Sequence, residues 1–159
     1  MQPRALIAAG LMLLGIFGCQ AGPSRCQLEE GERCGPARAL VSRVIDGDTV
    51  ELEGGARVRY IGVDTPELAD NEFYAAEARD YNTGLVQGVE VELEYDVECA
   101  DYFKRLLCYV CVGEIMVNEE LLRNGYAKTL PIPPNTRYKE TFASLEDEAQ
   151  SRGVGVWSP

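Results

Sequence analysis

Four acids and an arginine stand at the ends of two short apolar runs. Arg43-Val-Ile-Asp-Gly-Asp-Thr-Val50 carries Asp46 and Asp48, and Val58-Arg-Tyr-Ile-Gly-Val-Asp-Thr-Pro-Glu67 carries Arg59, Asp64 and Glu67. The chain contains no histidine. That excludes a Ser-His-Asp triad, a Cys-His pair and histidine-bound zinc. Chemistry here must run on carboxylates, arginine and a metal ion, and phosphodiester hydrolysis is one of the few reactions such a set serves. Carboxylates at strand ends offer hard oxygen ligands on a rigid frame, which suits calcium. Asp48 and Asp64 are the candidates for direct ligation, and the backbone carbonyl of Thr65 is a neutral third. A guanidinium near buried surface usually has an anion partner, and a phosphate matches the planar fork of Arg59.

Each segment also has a plainer reading. Asp46-Gly47 favours a turn on its own. Asp64 or Thr65 before Pro66 would serve as a helix start, with Glu67 in the first turn. An EF-hand is excluded, because Val50 and Glu51 occupy positions where that loop needs an oxygen ligand and then glycine. The two segments together, joined by a run that carries Arg59, favour a site.

The elements that must position these residues are short. Leu40–Ile45, Thr49–Glu53 and Arg57–Val63 have strand composition, with Gly54-Gly55 as a tight turn. Phe73–Val86 has helical spacing and Gly88 stops it. Val89–Tyr95 alternates apolar residues with glutamate, and Arg105–Val112 is its expected hairpin partner across a loop of Asp96–Lys104. Val117–Asn124 reads as a short helix, Pro131–Pro134 as a loop, and Arg137–Arg152 as a last helix with Phe142, Leu145 and Ala149 on its apolar stripe. Trp157 is expected to pack the end back on the body. The fold class is α+β, and a small OB-type barrel would bury such short strands.

Residues 1–18 read as an export signal, with Arg4 before an apolar run from Ala5 to Phe17 that is too short for a membrane span. The run ends in Ile16-Phe17-Gly18-Cys19, which resembles a bacterial lipoprotein signal with Cys19 as the lipidated residue. The expectation is an envelope lipoprotein, at the outer membrane or the periplasmic face, held by an N-terminal lipid. A plain signal peptide cut near Cys19 or Ala21, with secretion, is the alternative. Residues 19–38 are rich in glycine, proline and charge and read as a tether before a domain spanning 39–159. The net charge is −11, and removing Arg4 with the signal leaves −12. That balance argues against charge-driven wrapping of nucleic acid but is compatible with a local basic site.

Six cysteines fit an oxidising compartment. With Cys19 lipidated, an odd five remain, so at least one is free or pairs outside the chain. Cys26 and Cys34 flank a short polar stretch and are expected to bridge each other, and Cys99 to pair with Cys108 across the hairpin. Cys108-Tyr-Val-Cys111 has a CxxC spacing, but it lies in an apolar strand, which disfavours a redox or zinc role.

The arrangement resembles the staphylococcal nuclease-like (thermonuclease) family. The matching residues are Val44-Ile-Asp-Gly-Asp-Thr-Val50, Val58–Glu67, Tyr74-Ala-Ala-Glu-Ala78, Asp101-Tyr-Phe-Lys-Arg105, Met116-Val-Asn118, Leu122-Arg-Asn-Gly125 and Val156-Trp157. The resemblance implies a five-stranded Greek-key OB barrel with three α-helices and a calcium-dependent cut of DNA or RNA by a monomer. It implies that Asp48, Asp64 and the carbonyl of Thr65 hold the calcium and that Glu67 activates the attacking water. It also implies that Arg59 and Arg105 bind the phosphate, and that products end in 3′-phosphate. The chain departs from the family at Lys104, where a turn glycine is usual, at Phe103, where tyrosine is frequent, and at Pro131 and Pro133, near which the family's nucleotide pocket has tyrosines. A non-catalytic OB module binding nucleic acid or protein is the alternative function. Retention of Asp48, Arg59, Asp64, Glu67 and Arg105 weighs against it.

Overall fold

The computed structural model describes residues 24–28 and 34–159. The export signal, Cys19, and residues 20–23 and 29–33 of the expected tether lie outside them. Five strands close into a barrel: β1 (Arg38–Asp46), β2 (Thr49–Leu52), β3 (Arg57–Tyr60), β5 (Glu90–Ala100) and β6 (Leu106–Val112). Neighbours β1–β2, β2–β3, β1–β5 and β5–β6 run antiparallel, and a parallel β3–β6 pairing closes the cylinder. That closure removes the exposed edges of an open sheet. It is the five-stranded OB barrel the sequence led us to expect, with three α-helices: α1 (Ala75–Val86), α2 (Val117–Arg123) and α3 (Lys139–Arg152).

Alternation explains the core. On β3, Val58 and Tyr60 point inward and are buried, while Arg59 between them points out. Val91, Leu93 and Tyr95 do the same on β5. The helices cover the barrel with Ala75, Ala78 and Val86 of α1, Leu121 and Leu122 of α2, and the Phe142-Leu145-Ala149 stripe of α3. Trp157 sits in a short 3₁₀ turn, docked where Val156 N donates to Gly125 O. Among the described residues, no helix is long and apolar enough to cross a membrane.

Three boundaries differ from expectation. The run Arg57–Val63 is two strands, because Gly62 turns the chain at φ +76°. A Cβ there would also lie 2.8 Å from the Phe142 ring, so only glycine fits. Beyond the break, β4 (Gly62–Asp64) leaves the barrel and pairs with β8 (Lys128–Leu130), while β7 (Ile115–Met116) extends the edge of β6. The expected loop Asp96–Lys104 is mostly strand: β5 runs to Ala100, since buried Asp96 accepts from Tyr109 Oη at 3.0 Å and from Arg137 N at 3.1 Å. Helix α1 starts at Ala75, not Phe73, because Tyr74 adopts φ +72° ahead of it.

The disulfides correct the sequence reading. Cys26 pairs with Cys111 and Cys34 with Cys99; neither the Cys26–Cys34 nor the Cys99–Cys108 bridge forms. Strand register explains the second failure. Cys108 sits opposite Tyr95, and its side chain is buried inside the barrel, while the register shifts before Ala100. Among the described residues Cys108 is the free thiol, and burial pushes its pKa up, which fits an inert core residue rather than a redox centre. The Cys26 bridge also explains why residues 24–28 are a strap on the domain rather than a free tether. Arg25 N donates to Gly113 O at 2.8 Å, Gln27 N donates to the buried carboxylate of Glu94 at 2.7 Å, and Arg25 pairs with Glu119.

Candidate active site

The site is built where the β1–β2 hairpin meets the segment after β4. β1 loses register with β2 between Val44 and Asp46, and such a bulge re-aims the residues that follow it. Asp48, next to the turn, is 2% exposed. Its Oδ2 accepts from Thr65 N at 2.8 Å and Thr65 Oγ1 at 3.0 Å, and its Oδ1 accepts from Thr49 Oγ1 at 3.0 Å. Gly47 makes this fit possible, since a Cβ there would lie 2.7 Å from the Thr65 side chain. The helix start that Asp64-Thr-Pro-Glu67 suggested is absent; the segment is irregular and turns against Asp48 instead.

Arg59 reaches across this junction. Its Nη1 donates to Tyr60 O at 2.8 Å and to Val63 O at 2.7 Å, which locks the guanidinium over the β3–β4 break. Its Nη2 lies 2.9 Å from Asp64 Oδ1 and 3.2 Å from Asp48 Oδ2. The break itself is held from below by Asn118, whose Nδ2 donates to Ile61 O at 2.9 Å while its Oδ1 accepts from Val110 N. Asn118 is buried with both ends of its amide satisfied, which is what makes it a reliable strut.

Glu67 follows on the exposed rim. Its backbone N–H donates to Glu72 Oε2 at 2.8 Å. A carboxyl–carboxyl hydrogen bond with Asp46, then partial burial and the nearby charges of Asp46 and Asp48, push its pKa up to about 7, against the pull of Arg59. Burial likewise raises Asp64; Arg59 and Lys128 oppose the shift while Asp48 and Glu72 add to it. Asp46 is the residue whose part went unread in the sequence: it stood among the four acids, but only the fold shows it against Glu67. Asn82 of α1 supports its backbone, with Nδ2 donating to Asp46 O at 3.4 Å.

Arg105 enters from the other side. It lines a groove of about 430 Å³ together with Arg59, Tyr102, Phe103, Leu107 and Ile132. Its Nε donates to Asp101 Oδ2 at 2.7 Å, and its backbone N–H to Asp101 Oδ1 at 2.9 Å. Lys104 takes the left-handed conformation at φ +62° that a glycine would favour, so the tight turn is kept without one. The guanidinium of Arg105 lies 5.5 Å from the centre of the Phe103 ring. Phe103 is 75% exposed, so an aromatic face remains at the groove although its hydroxyl is missing. Pro131 and Pro133 lie in the exposed loop after β8, where Ile132 rather than an aromatic ring meets the groove.

All six sequence-picked positions thus fall into one neighbourhood, with Asp48, Arg59, Asp64, Thr65 and Glu67 tightly clustered and Arg105 facing them along the groove. Among the described residues, no three acidic, cysteine or histidine side chains already form a metal-binding group. The donor set still fits a hard divalent cation. Asp48 and Asp64 hold a positive nitrogen between them now and a backbone carbonyl follows at Thr65, so these oxygens would serve as ligands to a hard divalent cation.

Comparison with known proteins agrees with this geometry. The family described as "Staphylococcal nuclease homologue" matches residues 57–159. The chain is 37% identical over 125 residues to a thermonuclease of Staphylococcus intermedius, covering 74% of each. It is 36% identical over 162 residues to a thermonuclease of Staphylococcus hyicus, covering 96% of this chain and 94% of that one. It is 36% identical over 127 residues to the endonuclease YncB of Bacillus subtilis, covering 74% of this chain and 60% of that one. On fold, site and sequence together, this chain belongs to the staphylococcal nuclease family.

Proposed function

We propose that the protein is a calcium-dependent, sugar-nonspecific nuclease that hydrolyses phosphodiester bonds of DNA and RNA and leaves 3′-phosphate ends. The observation that carries this reading is the shared contact of Arg59 Nη2 with Asp48 and Asp64, beside Glu67 and facing Arg105. It brings an anion-binding guanidinium, a cation-binding acid pair and a base to one point, which is what hydrolysis of a phosphodiester requires.

Asp48, Asp64 and the carbonyl of Thr65 would hold the calcium. When bound, the ion polarises a phosphoryl oxygen and orients water. Glu67, with its pKa near neutrality, takes a proton from the attacking water. The new P–O bond forms opposite the bond to O5′, which breaks; O5′ takes a proton from solvent, so the upstream strand keeps a 3′-phosphate and the downstream strand a 5′-hydroxyl. Arg59 and Arg105 donate to the phosphoryl oxygens and oppose the charge that builds there, and Arg105 also stabilises the departing O5′. Asp101 holds Arg105 in line by its two hydrogen bonds. The groove beyond is lined by exposed apolar and aromatic surface such as Phe103 and Ile132, which offers a base a stacking face without reading its edges.

The N-terminal reading complements this. A lipid on Cys19 would hold the enzyme at the bacterial envelope, in an oxidising compartment that suits the two disulfides. The test is cleavage of single-stranded DNA by the chain from Gln20 onward, with calcium or chelator, beside Glu67→Ser and Arg59→Ala. Cutting that needs calcium and is lost in both variants is the expected result. A folded, calcium-binding protein that does not cut would favour the non-catalytic binding module instead.

A further inference from the structure

A second cleft, of about 560 Å³, lies beside the active site and is lined by Gly55, Ala56, Arg57, Phe103, Lys104 and Arg105. We propose that it is a second phosphate subsite, which holds the substrate strand one nucleotide step away from the phosphate at Arg59; this rests on the nuclease reading.

Strand geometry builds the cleft. In the parallel β3–β6 pairing, Val58 is opposite Leu106, so the residue before each, Arg57 and Arg105, come side by side. Arg57 and Arg59 are two residues apart on one strand and therefore share its outer face, about 6.6 Å apart along it. That step is comparable with the spacing of neighbouring phosphates in an extended strand. Lys104 completes the group. It occupies a left-handed turn position at φ +62°, where glycine is the unstrained choice, and it makes no ion pair among the described residues. Three cations thus face one cleft on a chain of net charge −11.

The neighbouring carboxylates neutralise these cations only in part. Glu51 is 3.6 Å from Arg57 and is shared with Arg43 at 3.2 Å, and such exposed pairs are weak. Asp101 engages only the Nε edge of Arg105 among the described contacts. The opposite wall is Gly55-Ala56, and a Cβ at Gly55 would meet nothing within 4 Å. The cleft is therefore open to a polymer. It recognises phosphate and no base edge, so it contributes affinity without sequence preference.

The experiment uses a calcium-loaded, non-cutting Glu67→Gln background and a fluorescent single-stranded DNA oligonucleotide. Dissociation constants are measured across a salt series for that background alone and with Arg57→Gln, Lys104→Asn, or both. Asparagine tolerates the left-handed conformation, so Lys104→Asn keeps the turn. Each neutralisation is expected to lower the slope of log Kd against log salt by about 0.7, and both together by about 1.4. Arg57→Lys should retain the slope. In the active enzyme, Arg57→Gln should lower kcat/KM on the long strand and leave cleavage of a dinucleotide, which has a single phosphodiester, unchanged. Slopes and long-strand kcat/KM equal to the parent would overturn the subsite. If the wild type cuts neither substrate, the nuclease reading fails, and the binding slopes still judge the subsite by themselves.

Discussion

Arg59 Nη2 donates to Asp64 Oδ1 across 2.9 Å, so in the free protein the candidate phosphate-binding arm neutralises a candidate calcium ligand. The guanidinium and the ion compete for the same acids. Arg59→Gln is therefore expected to tighten calcium binding several-fold in the absence of nucleic acid, because a positive charge next to the site is gone. The same change is expected to lower cleavage by about 10²- to 10³-fold, since a donor to the transition-state oxygens is lost. Calorimetric titration with calcium, beside initial rates, tests both halves. Weaker calcium binding in the variant would mean that Arg59 organises the ligands rather than competing for them.

Glu67 gives the calcium-free protein a pH-dependent weakness. Its folded pKa of about 7 lies above the ordinary carboxyl value of 4.5. The folded state then binds the extra proton, and this contribution to stability is present below about pH 4.5 and lost as pH rises through 7. Glu67→Gln cannot ionise and should flatten that dependence. In chelator, urea unfolding at pH 5 and pH 8 should show the variant gaining on the wild type at the higher pH. An equal difference at both pH values would remove the assigned coupling to Asp46.

The barrel and the neighbourhood of the candidate site were legible in the sequence; the contacts that hold them were not. Asp48, Arg59, Asp64, Thr65 and Glu67 could be picked because their types and spacing stand in two short segments, whatever the fold does between them, and Arg105 because Asp101-Tyr-Phe-Lys-Arg105 resembles a third. Asp46 could not be assigned its part, since its partner Glu67 is 21 positions away and meets it only when β1 bulges and β4 turns back. The β3–β4 break was hidden for a related reason. Gly62 reads as a tolerable strand residue until the ring of Phe142, from the last helix, is known to press on it. The disulfide map failed because nearness in sequence stood in for nearness in space. Cys26 and Cys34 each cross to a different position on β5 and β6, and alternation turns Cys108 inward, away from any partner.

The strap can be checked directly. A non-reducing proteolytic digest should yield one peptide pair joining Cys26 to Cys111 and another joining Cys34 to Cys99. The Cys26 bridge closes a separation of 85 residues, and cross-links of that span restrict the unfolded chain strongly. The double variant Cys26→Ser, Cys111→Ser is expected to lose about 2–4 kcal/mol of stability in denaturant unfolding. It should keep activity when folded, because neither residue touches the acids or the arginines. A Cys26–Cys34 peptide in the digest would restore the local staple and leave the strap unattached.

Lys104 separates stability from substrate binding. A non-glycine residue at φ +62° costs about 1–2 kcal/mol in the folded state. Glycine removes that cost but gives the unfolded chain more freedom, which takes back about 0.5–1 kcal/mol. Lys104→Gly should therefore stabilise the protein by about 0.5–1 kcal/mol. Lys104→Ala keeps a Cβ and should show no such gain, so the pair of variants isolates the backbone effect from the loss of charge. Both lack the ammonium and should lose the same amount of affinity for a long single strand. Equal stability in the glycine and alanine variants would mean that the turn is not strained. Equal stability with unchanged strand affinity would leave Lys104 as an ordinary surface residue.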